Sequence, residues 1–191
     1  MKKNDIIFAI ISGLSVAWVC DDFLAKYNLR RYSLVLLFAL PVLAVLGLWL
    51  ADIIGRKQLF VRQVGKFALA GAAADVVDIK VFQLLFQLTN FSLISKSISF
   101  LAATFLKFWW NKYWGFEKPQ KDGIKKEITQ FFLITVVGLA INLISFNYFT
   151  AITGPQFSMT PDIWRESSTI FAALIASVWN FLGYKFIVFK K

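Results

Sequence analysis

Residues 107–116 read Lys107-Phe-Trp-Trp-Asn-Lys-Tyr-Trp-Gly-Phe116, and residues 180–189 read Asn180-Phe-Leu-Gly-Tyr-Lys-Phe-Ile-Val-Phe189. Lys107 aligns with Asn180, Phe108 with Phe181, Lys112 with Lys185, Tyr113 with Phe186 and Phe116 with Phe189. Upstream, Phe67-x3-Gly71-x3-Asp75 is echoed by Ile134-x3-Gly138-x3-Asn142. Self-similarity at a long, nearly fixed period marks a structural unit used twice. The downstream matches lie further apart than the upstream ones, which predicts a longer outer loop around Gly154 to Pro161 in the second copy. Two related helical hairpins follow, at about 64–118 and 126–191.

Composition sets the solvent. Of 191 residues, 58% are hydrophobic and 17% charged, against roughly 25% charged in soluble domains. Mean hydropathy is +0.64. A soluble chain of this length cannot hide so much apolar surface, so lipid must cover much of it. The formal charge of +10 raises nucleic acid as a partner. The basic residues cluster at the ends of apolar runs, however, which is the membrane pattern, and nucleic-acid binding is not expected. The chain has no histidine, which removes imidazole acid–base catalysis and imidazole metal ligands. Cys20 is the one cysteine, so no intrachain disulfide can form. No phosphate-binding loop, Gly-x-Ser-x-Gly elbow or zinc spacing is present. The chain therefore does not read as an enzyme, and no cofactor or metal is expected. Asp75-Val-Val-Asp78 supplies too few ligands for a divalent cation, and Asp21-Asp22 reads as a solvated helix end. The start Met-Lys-Lys-Asn-Asp resembles a signal peptide but lacks the small residues of a cleavage site, and reads as a retained first helix.

Apolar segments fall at 6–24, 33–54, 67–88, 92–114, 128–152 and 166–188, each close to the ~20 residues that cross the hydrocarbon core. The fold class is thus an all-α integral membrane protein with six transmembrane helices. The last four form two hairpin repeats of parallel topology, related by an axis along the membrane normal. Pro41 is expected to bend the second span. Residues 1–55 read as an added N-terminal hairpin and 56–191 as a four-helix membrane domain. Lys26, Arg30, Arg31, Lys96 and Arg165 fall on one side of the membrane. Lys80 and Lys107 lie inside spans, and the remaining Lys and Arg fall on the other side. That bias puts both termini in the cytoplasm.

Polar residues inside the spans are the candidate site. Asp75 and Asp78 lie at i and i+3 on one helix face, with Lys107 on the neighbouring span as an available partner. Ionised groups at that depth face a bundle interior or a wet cavity. They serve either as an ion pair locking the two spans or as a site for a polar group entering the membrane. Asn142 and Asn180 take the positions of Asp75 and Lys107 in the second copy, where interhelical hydrogen bonding is the simpler role. Lys112 and Lys185 sit among aromatics at the ends of their spans. They are either snorkelling anchors or a clamp for a lipid phosphate. Trp110, with Trp109, Tyr113 and Trp114, belongs to an interfacial belt or offers ring faces to a sugar. Asn111 lies beside them and joins the polar set.

Taken together, these features resemble the GtrA-like family of small membrane proteins. Lys66-Phe67-Ala68-Leu69-Ala70-Gly71 resembles the family's basic-Phe-x-x-x-Gly opening, and Asp78 its acidic position in the first span. Asn180-Phe181, Lys185 and Phe189 resemble its closing signature, and Lys112 with Phe116 repeat that tail in the first hairpin. Ser145 stands at the second-copy position of Asp78 and departs from a symmetric site. The resemblance implies translocation of polyprenyl-phosphate-linked sugars across a bacterial or archaeal cytoplasmic membrane for surface-polysaccharide synthesis. In that reading Lys112, Lys185 and Lys107 contact the lipid phosphate, and Asp75, Asp78, Asn142, Asn180, Asn111 and Trp110 line the polar groove. Alternative readings are a non-transporting subunit that docks a membrane-associated glycosyltransferase, or a small-molecule or cation exporter. A homo-oligomer is expected, since four core helices make a small shelter for a sugar headgroup.

Overall fold

The computed structural model is all-helical over the residues it describes, 1–26, 28–120, 122–156 and 158–190. The side chains of Lys26, Asp162, Ile163 and Glu166 lie outside that description. So do Lys121 and Lys191 of the charge bias and Phe157 of the expected outer loop. The helices are α1 (Lys3–Lys26), α2 (Ser33–Gly55), α3 (Leu59–Thr89), α4 (Ser92–Trp110), α5 (Ile124–Asn147) and α6 (Pro161–Gly183). Each apolar segment of the sequence maps to one of them. Long apolar runs dictate this even across Pro41 and the internal glycines, because in lipid the helix is the one open-chain way to pair every backbone N–H and C=O. Among the described residues four stretches are long and apolar enough to cross a membrane: Lys3–Ala25, Arg30–Gly55, Ile124–Thr153 and Ser167–Val188. α3 and α4 carry the charges instead, among them Asp75, Asp78, Lys80, Lys96 and Lys107. Large apolar side chains stand uncovered, such as Phe38 at 70% and Leu93 at 79% exposure. Surfaces like these are met by lipid, and the protein is a multi-pass membrane protein.

The chain divides into two compact units, Met1–Pro119 and Gln120–Lys191. In the first, α1 packs on α2 and α3, and α3 on α4. Small residues let the backbones approach: Ala9, Ala70, Ala73 and Ala74 are all buried, and Ala9, Leu48, Ala70 and Trp114 share one core. Gly13 of α1 lies against the backbone of Leu40 and Pro41 in α2. Pro41 is therefore a buried contact surface inside the continuous helix α2. α3 ends at Asn90, whose left-handed φ of 57° turns the chain into α4. In the second unit α5 packs on α6, with Phe131 stacked on Tyr184 at 4.0 Å.

Both hairpins close in the same way. Asn111–Gly115 and Tyr184–Val188, which are aligned positions in the sequence, form π-helical turns. Phe116 donates its N–H to the Asn111 carbonyl at 2.8 Å, and Phe189 to the Tyr184 carbonyl at 2.7 Å. A π turn holds one residue more than an α turn and shifts the phase of the side chains it carries.

Candidate functional site

At the start of α1 and α3 the first unit buries a cluster of charges. Asp5 is 1% exposed and Lys66 2%. Lys66 Nζ lies 2.9 Å from Asp5 Oδ1 and 2.8 Å from Glu117 Oε1. The Trp114 indole N–H also donates to Asp5 Oδ1, at 2.9 Å. Arg62 reaches Asp5 at 3.3 Å and Asp52 at 3.2 Å, and the Met1 amine sits 2.8 Å from Asp52. Charges this buried persist only when each is paired and hydrogen-bonded. α1, α2, α3 and the segment after α4 each contribute one or more of them.

Glu117 completes the cluster from an unusual backbone. Its φ is +50°, a region that side-chain-bearing residues rarely adopt. The turn aims the carboxylate back at Lys66 and at Lys2, which donates at 3.2 Å. Burial by itself pushes the Glu117 carboxyl up, but the hydrogen bonds and charges of Lys66 and Lys2 together outweigh it and hold the group below the ordinary glutamate range. A carboxyl with a lowered folded-state pKa adds stability above its unfolded pKa, and that stability fades as pH falls through the folded value. Melting temperature should thus drop on acidification below about pH 4.5, and Glu117→Gln should lose part of that drop. Identical acid profiles for the two proteins would remove Glu117 from the cluster's energetics.

Beside the charges lies a cavity of about 600 Å³ with Phe8, Trp109, Trp110, Tyr113 and Glu117 in its wall. Trp109 and Tyr113 stack in parallel at 5.5 Å and are both exposed. Trp110 is half-buried and meets Phe8 edge-on at 5.3 Å.

Further along the α3–α4 hairpin, the polar residues pair differently from expectation. Asp78 accepts from Lys96 and from the Ser99 hydroxyl, each at 2.6 Å. The ion pair between these helices is therefore Asp78–Lys96, and Lys107 is not its partner. Antiparallel packing is the reason: residues nearer the Asn90 turn on α3 face residues nearer that turn on α4, which matches Asp78 to Lys96. Lys107 falls instead beside Gly71, where a Cβ would meet Lys107 Cε and Nζ at 3.9 Å. Asp75 is exposed and lies four residues on from Gly71, on the same face of α3. Among the described residues Asp75 accepts no hydrogen bond and Lys107 has no acid within 4 Å. Lys80 pairs with Asp22 of α1 and lies 4.2 Å from the Trp18 ring centre, so Asp22 is not simply solvated.

Lys112 and Asn111 are fully buried within the π turn. Asn111 Nδ2 donates back to the Lys107 carbonyl at 2.8 Å. At 0% exposure Lys112 is neither a snorkelling chain in water nor a surface group open to a phosphate. In the second unit Lys185 is half-buried, 5.5 Å from the Phe186 ring centre. Asn180 sits on Gly138, and a Cβ there would fall inside the amide. Lys107 on Gly71 and Asn180 on Gly138 are thus the same placement, each within its own hairpin. Asn142 is half-buried and makes no hydrogen bond among the described residues. The structure brings Lys107 and Asp75 together in one unit, and Asn142, Asn180 and Lys185 belong to the other. Among the described residues no group of three acidic or cysteine side chains could hold a metal ion.

Sequence reasoning missed Asp5, Asp52 and Glu117. Each looks ordinary alone, and their partners lie far away in the chain. The signals that could have found them are an acid just before an apolar run and an acid inside the second span.

Residues 66–189 match the family model described as GtrA/DPMS, transmembrane domain. No curated protein and no solved structure matches the chain. The matched segment begins at Lys66, so α1, α2 and the first turns of α3 lie outside it.

Proposed function

The chain belongs to the GtrA/DPMS transmembrane-domain family, and on that premise we propose that it translocates a polyprenyl-phosphate-linked sugar across the cytoplasmic membrane. Membership and the helical membrane fold support a role in carrier-lipid-linked sugar processes. One observation supports translocation beyond that. Lys107 of α4 lies on Gly71 of α3, one helical turn before Asp75 on the same face, yet neither side chain has a hydrogen-bonded partner within the described residues. A sugar phosphate matches both at once. Its phosphate accepts from the ammonium, and its hydroxyls donate to the carboxylate.

In this reading all six helices cross the membrane. The residues from 56 onward form the working domain, and both termini are cytoplasmic. Residues 1–55 are an added hairpin. Lys107 is the phosphate contact in the first hairpin and Lys185 the phosphate contact in the second. Asn180 and Asn142 offer uncharged polar groups where the first hairpin offers charge. A second copy of the chain extends the shelter for the headgroup.

The test is a scrambling assay in proteoliposomes carrying a fluorescent polyprenyl-phosphate monosaccharide. Folded protein should accelerate exchange between leaflets over empty liposomes. Lys107→Gln should slow it by about 10- to 100-fold, the loss of one charge-assisted contact, with the melting temperature held. No acceleration by folded wild-type protein would defeat the reading. Lipid binding without scrambling would favour a subunit that presents the lipid to a glycosyltransferase.

A further inference from the structure

At the opposite end of the first unit from Glu117, α1 and α3 enclose a second cleft, of about 900 Å³. Lys66 and Lys80 are separated by roughly 21 Å along α3 at 1.5 Å per residue, so the two cavities stand at the two ends of one helix. Ser15, Trp18 and Asp22 line the α1 wall, and Lys80, Gln83 and Gln87 the α3 wall. Their spacings of three, four and seven residues put each set on a single helix face.

We propose that this cleft is a saccharide-binding site in its own right, supplied in part by the N-terminal hairpin. The inference rests on the reading that the protein handles a polyprenyl-phosphate-linked sugar, and adds a place for the sugar apart from Lys107 and Asp75. A sugar ring has an apolar C–H face and a rim of hydroxyls, and the cleft offers a complement to each. The Lys80 ammonium lies over the Trp18 ring at 4.2 Å, yet Trp18 remains 59% exposed and keeps broad, flat ring surface open. Asp22 is paired with Lys80, yet its side chain is 43% exposed, which leaves acceptor capacity facing the cleft. Gln83 is half-buried and Gln87 exposed, and neither amide has a hydrogen-bond partner among the described residues. Each amide carries two donors and an acceptor, the combination that hydroxyls satisfy. Val76, Val81 and Leu84 make the rest of the floor apolar. The cleft's ammonium and carboxylate already neutralise each other, so a hydroxylated neutral group fits better than a free anion. The wall from α1 precedes the family-matched segment, which begins at Lys66. Selection of the sugar is thus a property of the added hairpin.

The experiment measures affinity in nanodiscs for two probes of equal chain length: polyprenyl phosphate carrying one monosaccharide, and bare polyprenyl phosphate. Trp18→Leu and Gln83→Leu should each weaken the sugar-bearing probe by about tenfold, the worth of one good ring or hydrogen-bond contact. Both should leave the bare probe unchanged. Lys107→Gln should weaken both probes. Melting temperatures near wild type confirm folding, and the exposed position of Trp18 favours that. Three results overturn the proposal while leaving the phosphate reading intact: both variants keep the sugar preference, wild type binds the two probes alike, or Trp18→Leu weakens the two equally. Wild-type binding of neither probe above empty nanodiscs overturns both readings.

Discussion

Lys66→Met should lower the stability of the protein by roughly 3–5 kcal/mol, the scale for removing one partner of a buried ion pair. Asp5 would remain 1% exposed and lose the ammonium 2.9 Å from its carboxylate. Glu117 would lose the contact at 2.8 Å that offsets its left-handed backbone. At 2–4 °C per kcal/mol for a chain of this size, the melting temperature should fall by roughly 10 °C. The double change Asp5→Asn, Lys66→Met should recover much of the loss, because an apolar or neutral substitute for the whole pair avoids the stranded charge. Thermal unfolding in detergent, followed by near-ultraviolet circular dichroism, reads all three proteins. A single variant melting within a degree or two of wild type would mean that the cluster is not what holds α1 to α3.

Gly13→Ala is the second large effect. A Cβ at residue 13 would lie 2.6 Å from Pro41 N and 2.8 Å from the Leu40 carbonyl oxygen. These are backbone atoms and cannot rotate aside, so α1 must move off α2. Overpacking of this kind costs about 1–3 kcal/mol, occasionally more. Gly47→Ala is the matched control. Nothing lies within 4 Å of a Cβ there, and replacing a mid-helix glycine gains about 0.5–1 kcal/mol. Opposite shifts in melting temperature are expected from the same chemical change one helix apart. Equal shifts would refute the close contact between Gly13 and Pro41.

The helices were legible because their cause is local. An apolar run near twenty residues long has few other structures open to it in lipid. The matched placements of Lys107 on Gly71 and Asn180 on Gly138 were legible as a repeated spacing. Three kinds of feature were not. The Asp5–Lys66–Glu117 cluster joins residues 51 or more positions apart, and no local pattern encodes which distant charge an acid will meet. The pairing of Asp78 with Lys96 depends on where the α3–α4 turn falls, which sets which of the lysines along α4 comes level with Asp78. The burial of Lys112 is not encoded in the repeated pattern, because Lys185 holds the aligned place in the same kind of turn and is only half-buried. Pro41 reads as a bend from sequence alone, and only the neighbouring backbone shows that Gly13 was made small to meet it.

The charge cluster also carries a consequence for how the protein is made. Asp5 leaves the ribosome long before Lys66, and Glu117 later still. While α1 and α2 are being made, the only hydrogen bond to Asp5 from the described residues already synthesised is the nearby backbone N–H of Lys2. Once α3 has been translated, Lys66 and Arg62 can close on Asp5. The stretch after α4 then adds Glu117 as the last charge to join. The cluster is thus completed in chain order, and its last member arrives only with the end of the first hairpin.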